Sequence, residues 1–169
     1  MTSIESVVPR VSQMTQKTNQ FNFTTQRLSE DEVFKLISDG AIIYPLQVKD
    51  IYGDHGITGL IMINKKSKIE AEITNFLMSC RILGRDIEQN LLEWCIFDLK
   101  QMGFKKIKGK FISTKKNKLA EDFYKDFKVS GKKLKNKKSE NNVKNFELDI
   151  SDLSYKKKDD KFIEISKTS

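Results

Sequence analysis

Apolar residues recur along this chain with two different periods, and the switches between them divide it into elements. From Ile69 to Leu77, the residues Ile69, Ala71, Ile73 and Leu77 alternate with Glu70, Glu72 and Thr74. That period of two predicts a strand with one buried face. Ala41–Lys49 and Ile57–Ile63 read as two further strands, with the turn Tyr52-Gly53-Asp54-His55-Gly56 between them and Asn64–Lys68 as the next turn. The three strands together predict an antiparallel meander. The period then lengthens to that of a helix. Over Asp86–Met102 the residues Ile87, Leu91, Trp94, Cys95, Leu99 and Met102 trace one stripe, interrupted by Asp98, and Gly103 closes it. An earlier helix opens at Ser29, where Glu32 completes a capping box. Its buried face is Val33, Phe34, Leu36 and Ile37, and Gly40 ends it.

The remaining segments complete the order. Lys105–Ile112 predicts a strand, Asn117–Phe127 a helix with Phe123 and Tyr124 on its inner side, and Val143–Ile150 a last strand. Arg10–Thr18 reads as a short helix and Gln20–Thr25 as a short strand. Residues 1–9 read as a tail or linker remnant, and the Lys-, Asn- and Ser-rich stretch Val129–Asn142 as an exposed loop. Residues 151–169 form a basic tail in which Phe162–Ile165 predicts an edge strand. The expectation is one α+β domain over 10–150, with a mixed, mostly antiparallel central sheet flanked by helices.

Composition narrows the function classes. The chain has 169 residues, a net charge of +8 and a pI near 9.3. That balance favours acidic or phosphorylated partners. Nucleic acid is not expected, because aromatics are not interleaved with the lysines and no recognition motif is present. Two cysteines and one histidine without paired spacing argue against a metal site or a disulfide framework. No stretch has the length of a membrane span, and the first residues carry no apolar leader, so a cytoplasmic protein is expected.

The chemistry concentrates at one junction, Asn75–Gln89, which reads NFLMSCRILGRDIEQ. A strand, a turn containing Gly84 and the start of a helix present free backbone N–H groups and a partial positive charge. With Arg81 and Arg85 alongside, this suits a phosphate. Cys80 lies just before Arg81, in surroundings that favour a thiolate. The hairpin around Asn64–Lys68 brings the start of its first strand beside the end of its second, so His55 is expected near Cys80. A thiol relay follows as an expectation: Cys80 accepts an acyl group with His55 as base. Packing of Cys80 and turn-shaping by His55 are the plainer alternative. The polar run Gln16–Asn22 cannot be a simple buried strand, and a polar cleft with Gln20, Asn22 and Arg27 as donors is expected there.

Two resemblances sharpen this reading. Arg81-Ile82-Leu83-Gly84-Arg85-Asp86 is similar to the pyrophosphate-binding pattern of the GNAT acetyltransferases, with Asp86 where Gly or Ala is usual. Asn117-Lys118-Leu119-Ala120-Glu121-Asp122-Phe123-Tyr124 resembles that family's late Asn…Ala…Phe-Tyr segment. The resemblance implies a GNAT-like fold, coenzyme A or a carrier-borne phosphopantetheine as cofactor, Asn117 on the pantetheine arm and Tyr124 as the acid for a leaving thiolate. A longer resemblance covers Arg10 to about Phe127. Arg10–Arg27, Tyr52–Gly59, Phe76–Glu88 and Ser113–Asn117 are similar to the C-terminal region of FkbH-like proteins. It implies a part in loading a glyceryl unit onto an acyl carrier protein, beside a phosphatase domain or subunit of the haloacid dehalogenase superfamily. The aspartate motif of that phosphatase is absent here, so no phosphatase activity is expected of this chain. An acetyl-CoA-dependent N-acetyltransferase and a carrier-binding module without chemistry are the alternatives.

Overall fold

Alternation along the meander sorts its side chains onto two faces, and each face acquires its own core. The computed structural model describes residues 4–50, 53–84, 86–129, 132–154 and 163–165. Helices α1 (Ile4–Lys17) and α2 (Glu30–Ser38) precede strands β1 (Ile42–Asp50), β2 (Gly53–Lys65) and β3 (Glu70–Met78). A single 3-10 turn, Cys80–Ile82, leads into α3 (Ile87–Gln101), β4 (Lys106–Ile112) and α4 (Lys118–Asp126). A small hairpin, β5 (Lys128–Val129) and β6 (Lys132–Lys133), comes next. β7 (Lys135–Glu140), β8 (Val143–Asp149) and β9 (Ile163–Ile165) complete the order. The main sheet runs β7-β8-β4-β3-β2-β1-β9, and only the β3–β4 pair is parallel. This is the expected α+β class.

One core lies under α1 and α2, where Val7, Val8, Val11, Met14 and Val33 meet Ile43, Leu60, Met62 and Leu77. The other lies under α3 and α4, where Leu91, Cys95, Leu99, Ala120 and Tyr124 meet Tyr44, Ile61, Ile73 and Phe76. Asp98, the interruption in the α3 stripe, accepts the Tyr44 hydroxyl at 2.9 Å. The capping box forms as expected. The Ser29 N–H donates to the Glu32 carboxylate at 2.7 Å, and the Glu32 N–H donates to the Ser29 hydroxyl at 3.2 Å.

Four expectations change. Within the stretch 1–9 expected as a tail, residues 4–9 form the first turns of α1, and Val7 and Val8 there are fully buried; residues 1–3 lie outside the described residues. Pro9 forfeits an intrahelical bond there, but it faces outward and the buried face is uninterrupted. The loop expected over Val129–Asn142 is instead strand-rich, because β7 adds antiparallel to β8. The turn expected at Tyr52–Gly56 is already strand from Gly53 onward. Leu77 does not share a face with Ile73. The β2–β3 register pairs Met62 with Asn75 but Ile63 with Ile73, which leaves Thr74 as an extra residue. This bulge reverses the phase of β3. Its groups remain partnered: the Thr74 hydroxyl donates to the Met62 carbonyl at 3.2 Å, and its carbonyl accepts the Thr24 hydroxyl at 3.0 Å.

The bulge coincides with a parting of the sheet. β3 and β4 pair only from Glu70–Lys106 to Ile73–Gly109. Beyond that point the segment Phe21–Thr24 enters between them. Its expected strand character reduces to one bridge, Asn22 opposite Leu77. The Phe23 N–H donates to the Phe76 carbonyl at 2.9 Å and the Met78 N–H to the Phe21 carbonyl at 3.0 Å. On the other side the Ile112 N–H donates to the Phe23 carbonyl at 2.8 Å. Phe21 and Phe23 anchor this wedge among Phe76, Phe111 and Phe123, with ring centroids 5.0–5.8 Å apart between Phe76 and either Phe21, Phe23 or Phe123. Each buried Phe contributes about 2 kcal/mol by area alone.

Candidate functional site

Among the described residues, cavities on either side of the wedge differ in chemistry: Gln20 lines one and Phe21 the other. After β3 the Ser79 N–H donates to the Thr58 carbonyl at 2.7 Å, and the 3-10 turn that follows leaves Cys80 and Arg81 exposed. The C-terminal half of α1 faces them across a cleft of about 500 Å³. Arg10, Lys17 and Arg81 stand in its walls with Gln13, Asn19, Gln20 and Cys80, and among the described residues no carboxylate lines it. Arg10 is held in position: its Nε donates to the Ile57 carbonyl at 2.9 Å and its Nη1 to the Gln13 side-chain oxygen. Thr58, 2% exposed, also lines the cleft, and its hydroxyl has no hydrogen-bond partner among the described residues.

The second cavity, about 620 Å³, lies between the start of α3 and α4. Phe21, Phe123 and Phe127 provide apolar walls, and Asp86, Glu88, Asp122 and Asp126 provide acid. Gly84 turns the chain at φ +84°, a conformation that disfavours a side chain. Its N–H already donates to the Glu88 carboxylate at 3.3 Å. Asp86 opens α3 at φ 57° without capping it through its side chain.

The expected site residues therefore part company. Cys80, Arg81 and Gln20 share the cationic cleft, and Gly84 lines the acidic cavity. Arg85 lies outside the described residues. His55 is exposed near the start of β2 and is not in the cleft wall. The β2–β3 register ends with Gly59 opposite Met78, and His55 lies four residues before Gly59. Tyr124 is buried in the aromatic core, stacked on Phe111 at 5.3 Å, and lines neither cavity. Burial pushes its hydroxyl pKa up. Cys95 is fully buried and its thiol is likewise pushed up by burial.

Three expected donors serve the scaffold instead. The Asn22 side chain donates to the Thr18 carbonyl at 3.1 Å and accepts the Thr25 N–H at 2.8 Å. Arg27 donates to the Thr15 and Thr18 carbonyls and to the Asn19 side chain, which closes the end of α1. Asn117 donates to the Asn22 carbonyl at 3.0 Å and the Ile112 carbonyl at 2.8 Å, and it accepts the Thr114 N–H at 2.8 Å. Asn22 and Arg27 are expected as donors to a polar cleft and Asn117 only through the resemblance to the GNAT segment, whereas in the fold their hydrogen bonds go to the chain itself. Arg10 and Thr58 were missed. Arg10 carried only the signal of its place in the long string at Arg10–Arg27, and the burial of the Thr58 hydroxyl is a tertiary fact.

A parallel pair at the centre of an otherwise antiparallel sheet, with two helices on each face, recurs in solved structures. Ard1 from Thermoplasma volcanium aligns at a TM-score of 0.63 and 14% identity, over 88% of this chain and 95% of that one. The GNAT domain of S. lividans PAT aligns at 0.57 and 16% identity, over 85% of each chain. The PaiA N-acetyltransferase from Thermoplasma acidophilum, in complex with coenzyme A, aligns at 0.54 and 12% identity, over 88% of this chain and 80% of that one. The chain has the GNAT fold. No family model matches the sequence, and neither does any curated protein.

Of the residues expected to hold coenzyme A, Gly84 and Asn117 are engaged within the chain, Arg81 stands in the cationic cleft and Arg85 lies outside the described residues. The Gly84 amide is taken by Glu88, and the described residues that line the adjacent cavity include carboxylates but no cation. Asn117, expected on the pantetheine arm, donates both amide hydrogens to the chain's own carbonyls. Among the described residues no group of His, Cys, Asp and Glu could hold a metal, and no helix is long and apolar enough to cross a membrane.

Proposed function

We propose that this chain is the acyltransferase-like domain of an FkbH-like protein, acting in the transfer of a glyceryl unit to the phosphopantetheine thiol of an acyl carrier protein. The observation that carries the reading is the placement of the one exposed cysteine, Cys80, in a cleft whose described lining includes cations and no carboxylate. A carrier-borne arm brings one phosphate and a thiol, without the pyrophosphate and nucleotide of coenzyme A, so the acidic start of α3 is no obstacle to it. In the proposed cycle the Cys80 thiolate attacks the acyl carbonyl of a glyceryl phosphate anhydride. The acyl–oxygen bond breaks and inorganic phosphate leaves. The carrier thiol then displaces Cys80, and its proton passes to the departing thiolate. A partner of the haloacid dehalogenase type handles the phosphate chemistry that this chain lacks.

Intact-mass analysis after incubation with an activated glyceryl donor, its loading partner and the carrier protein tests the reading. The expected result is an acyl mass on this chain that is absent in Cys80→Ser and moves to the carrier. A carrier fully loaded in the presence of Cys80→Ser would make the domain a binding module without chemistry. Tight binding of acetyl-CoA with acetylation of an amine would instead favour an N-acetyltransferase. Labelling by a thiol reagent at neutral pH separates the role of His55: equal rates in wild type and His55→Ala would remove it as the base.

A further inference from the structure

We propose that the cleft under α1 is an oxyanion site that takes a phosphate carried on an acyl or pantetheine chain, on the opposite side of the wedge from the helix start where the motif would put it. The inference rests on the proposed function for the source of the phosphate only. The binding chemistry stands on the cleft itself. Lys17 and Arg81 reach it from α1 and from the turn after β3, and Arg10 is braced by Ile57 and Gln13. Cations brought together from separate elements without an acid among them repel one another and are relieved by an anion. An arginine fork suits a phosphate in particular.

The Thr58 hydroxyl is an independent pointer. A buried hydroxyl without a partner costs free energy that a ligand oxygen can recover. Thr58 is 2% exposed, its hydroxyl has no hydrogen-bond partner among the described residues, and it lines the same cleft as the three cations. Its backbone serves the fold, because its carbonyl accepts the Ser79 N–H at 2.7 Å. Its side-chain oxygen does not. Cys80 in the same wall places a thiol beside the held phosphate group.

Calorimetric titration of the full chain with 4′-phosphopantetheine, pantetheine and 3-phosphoglycerate tests the site. A phosphorylated probe is expected to bind at least about tenfold more tightly than pantetheine, the size of one charge-assisted contact. Arg81→Ala and Lys17→Ala should each weaken it about tenfold. Thr58→Val keeps the shape and removes the hydroxyl. It should weaken phosphate binding several-fold while leaving the melting temperature within a degree or two of wild type. Preference for phosphopantetheine assigns the phosphate to the carrier arm, and preference for 3-phosphoglycerate assigns it to the acyl donor. Both support the site. Equal binding of pantetheine and its phosphate, no binding of any probe, or wild-type affinity in Thr58→Val and Arg81→Ala together would overturn it. Loss of glyceryl transfer with phosphate binding intact would count against the proposed function alone.

Discussion

Asn117 donates one amide hydrogen to the wedge and the other to the end of β4, and it is fully buried. Truncation to Ala leaves the carbonyls of Asn22 and Ile112 without these donors in a site that water cannot easily enter. Unpartnered buried groups cost about 1–3 kcal/mol each. Asn117→Ala should therefore lower the unfolding free energy by about 2–4 kcal/mol, read as a shifted denaturant midpoint at unchanged slope. Asn117→Asp restores the acceptor but not the donors and should recover little of that loss. A midpoint at the wild-type value would show that the wedge is held by its phenylalanines alone. At this scale the sequence singles out polar residues, and the fold supplies the partners each of them meets. Asn22, Arg27 and Asn117 stand out as polar residues in a specific pattern. Only the fold shows that their partners are backbone carbonyls of the same chain. Cys80 and Arg81 differ because a strand end and a short turn hold them outward, a placement already implied by their position after an alternating run.

Strands and helices were legible to the extent that their periodicity was unbroken. β4, α3 and α4 lie within a residue or two of their expected limits because each carries a regular apolar repeat between clear stops. β3 was legible up to Ile73. The extra residue at Thr74 leaves no compositional mark, since a bulge is defined by the partner strand. α1 was shortened in the sequence reading because Pro9 looks like a boundary and two adjacent valines carry little periodicity. A variant lacking residues 1–9 would lose the burial of Val7 and Val8 against Ile43, Leu60 and Met62. Each valine contributes about 1.5 kcal/mol or more. Circular dichroism melting should show a fall of several degrees or loss of the cooperative transition. A melting temperature equal to that of the full chain would show that these turns of α1 are dispensable.

For the whole molecule, the net charge of +8 becomes informative through its distribution. Among the described residues, carboxylates gather at the α3–α4 cavity, and cations without acids gather at the cleft under α1. An acidic carrier protein would therefore be steered to the cleft side. Raising ionic strength from about 0.05 M to 0.5 M should slow association with the carrier severalfold and change dissociation less, because screening acts on the approach. Stopped-flow rates independent of salt would remove steering from the account. The sequence by itself determined the α+β class, the meander, the two amphipathic helices after it and the junction that carries Cys80 and Arg81. These follow from local periodicity and from turns, which nearby residues dictate. Tertiary structure alone decided that Phe21–Thr24 closes the gap between β3 and β4, that Asn117 secures it, and that cation and acid face opposite ways across it. Those arrangements join residues as many as 95 positions apart, and no pattern within a short window can encode which of several polar side chains will meet which carbonyl.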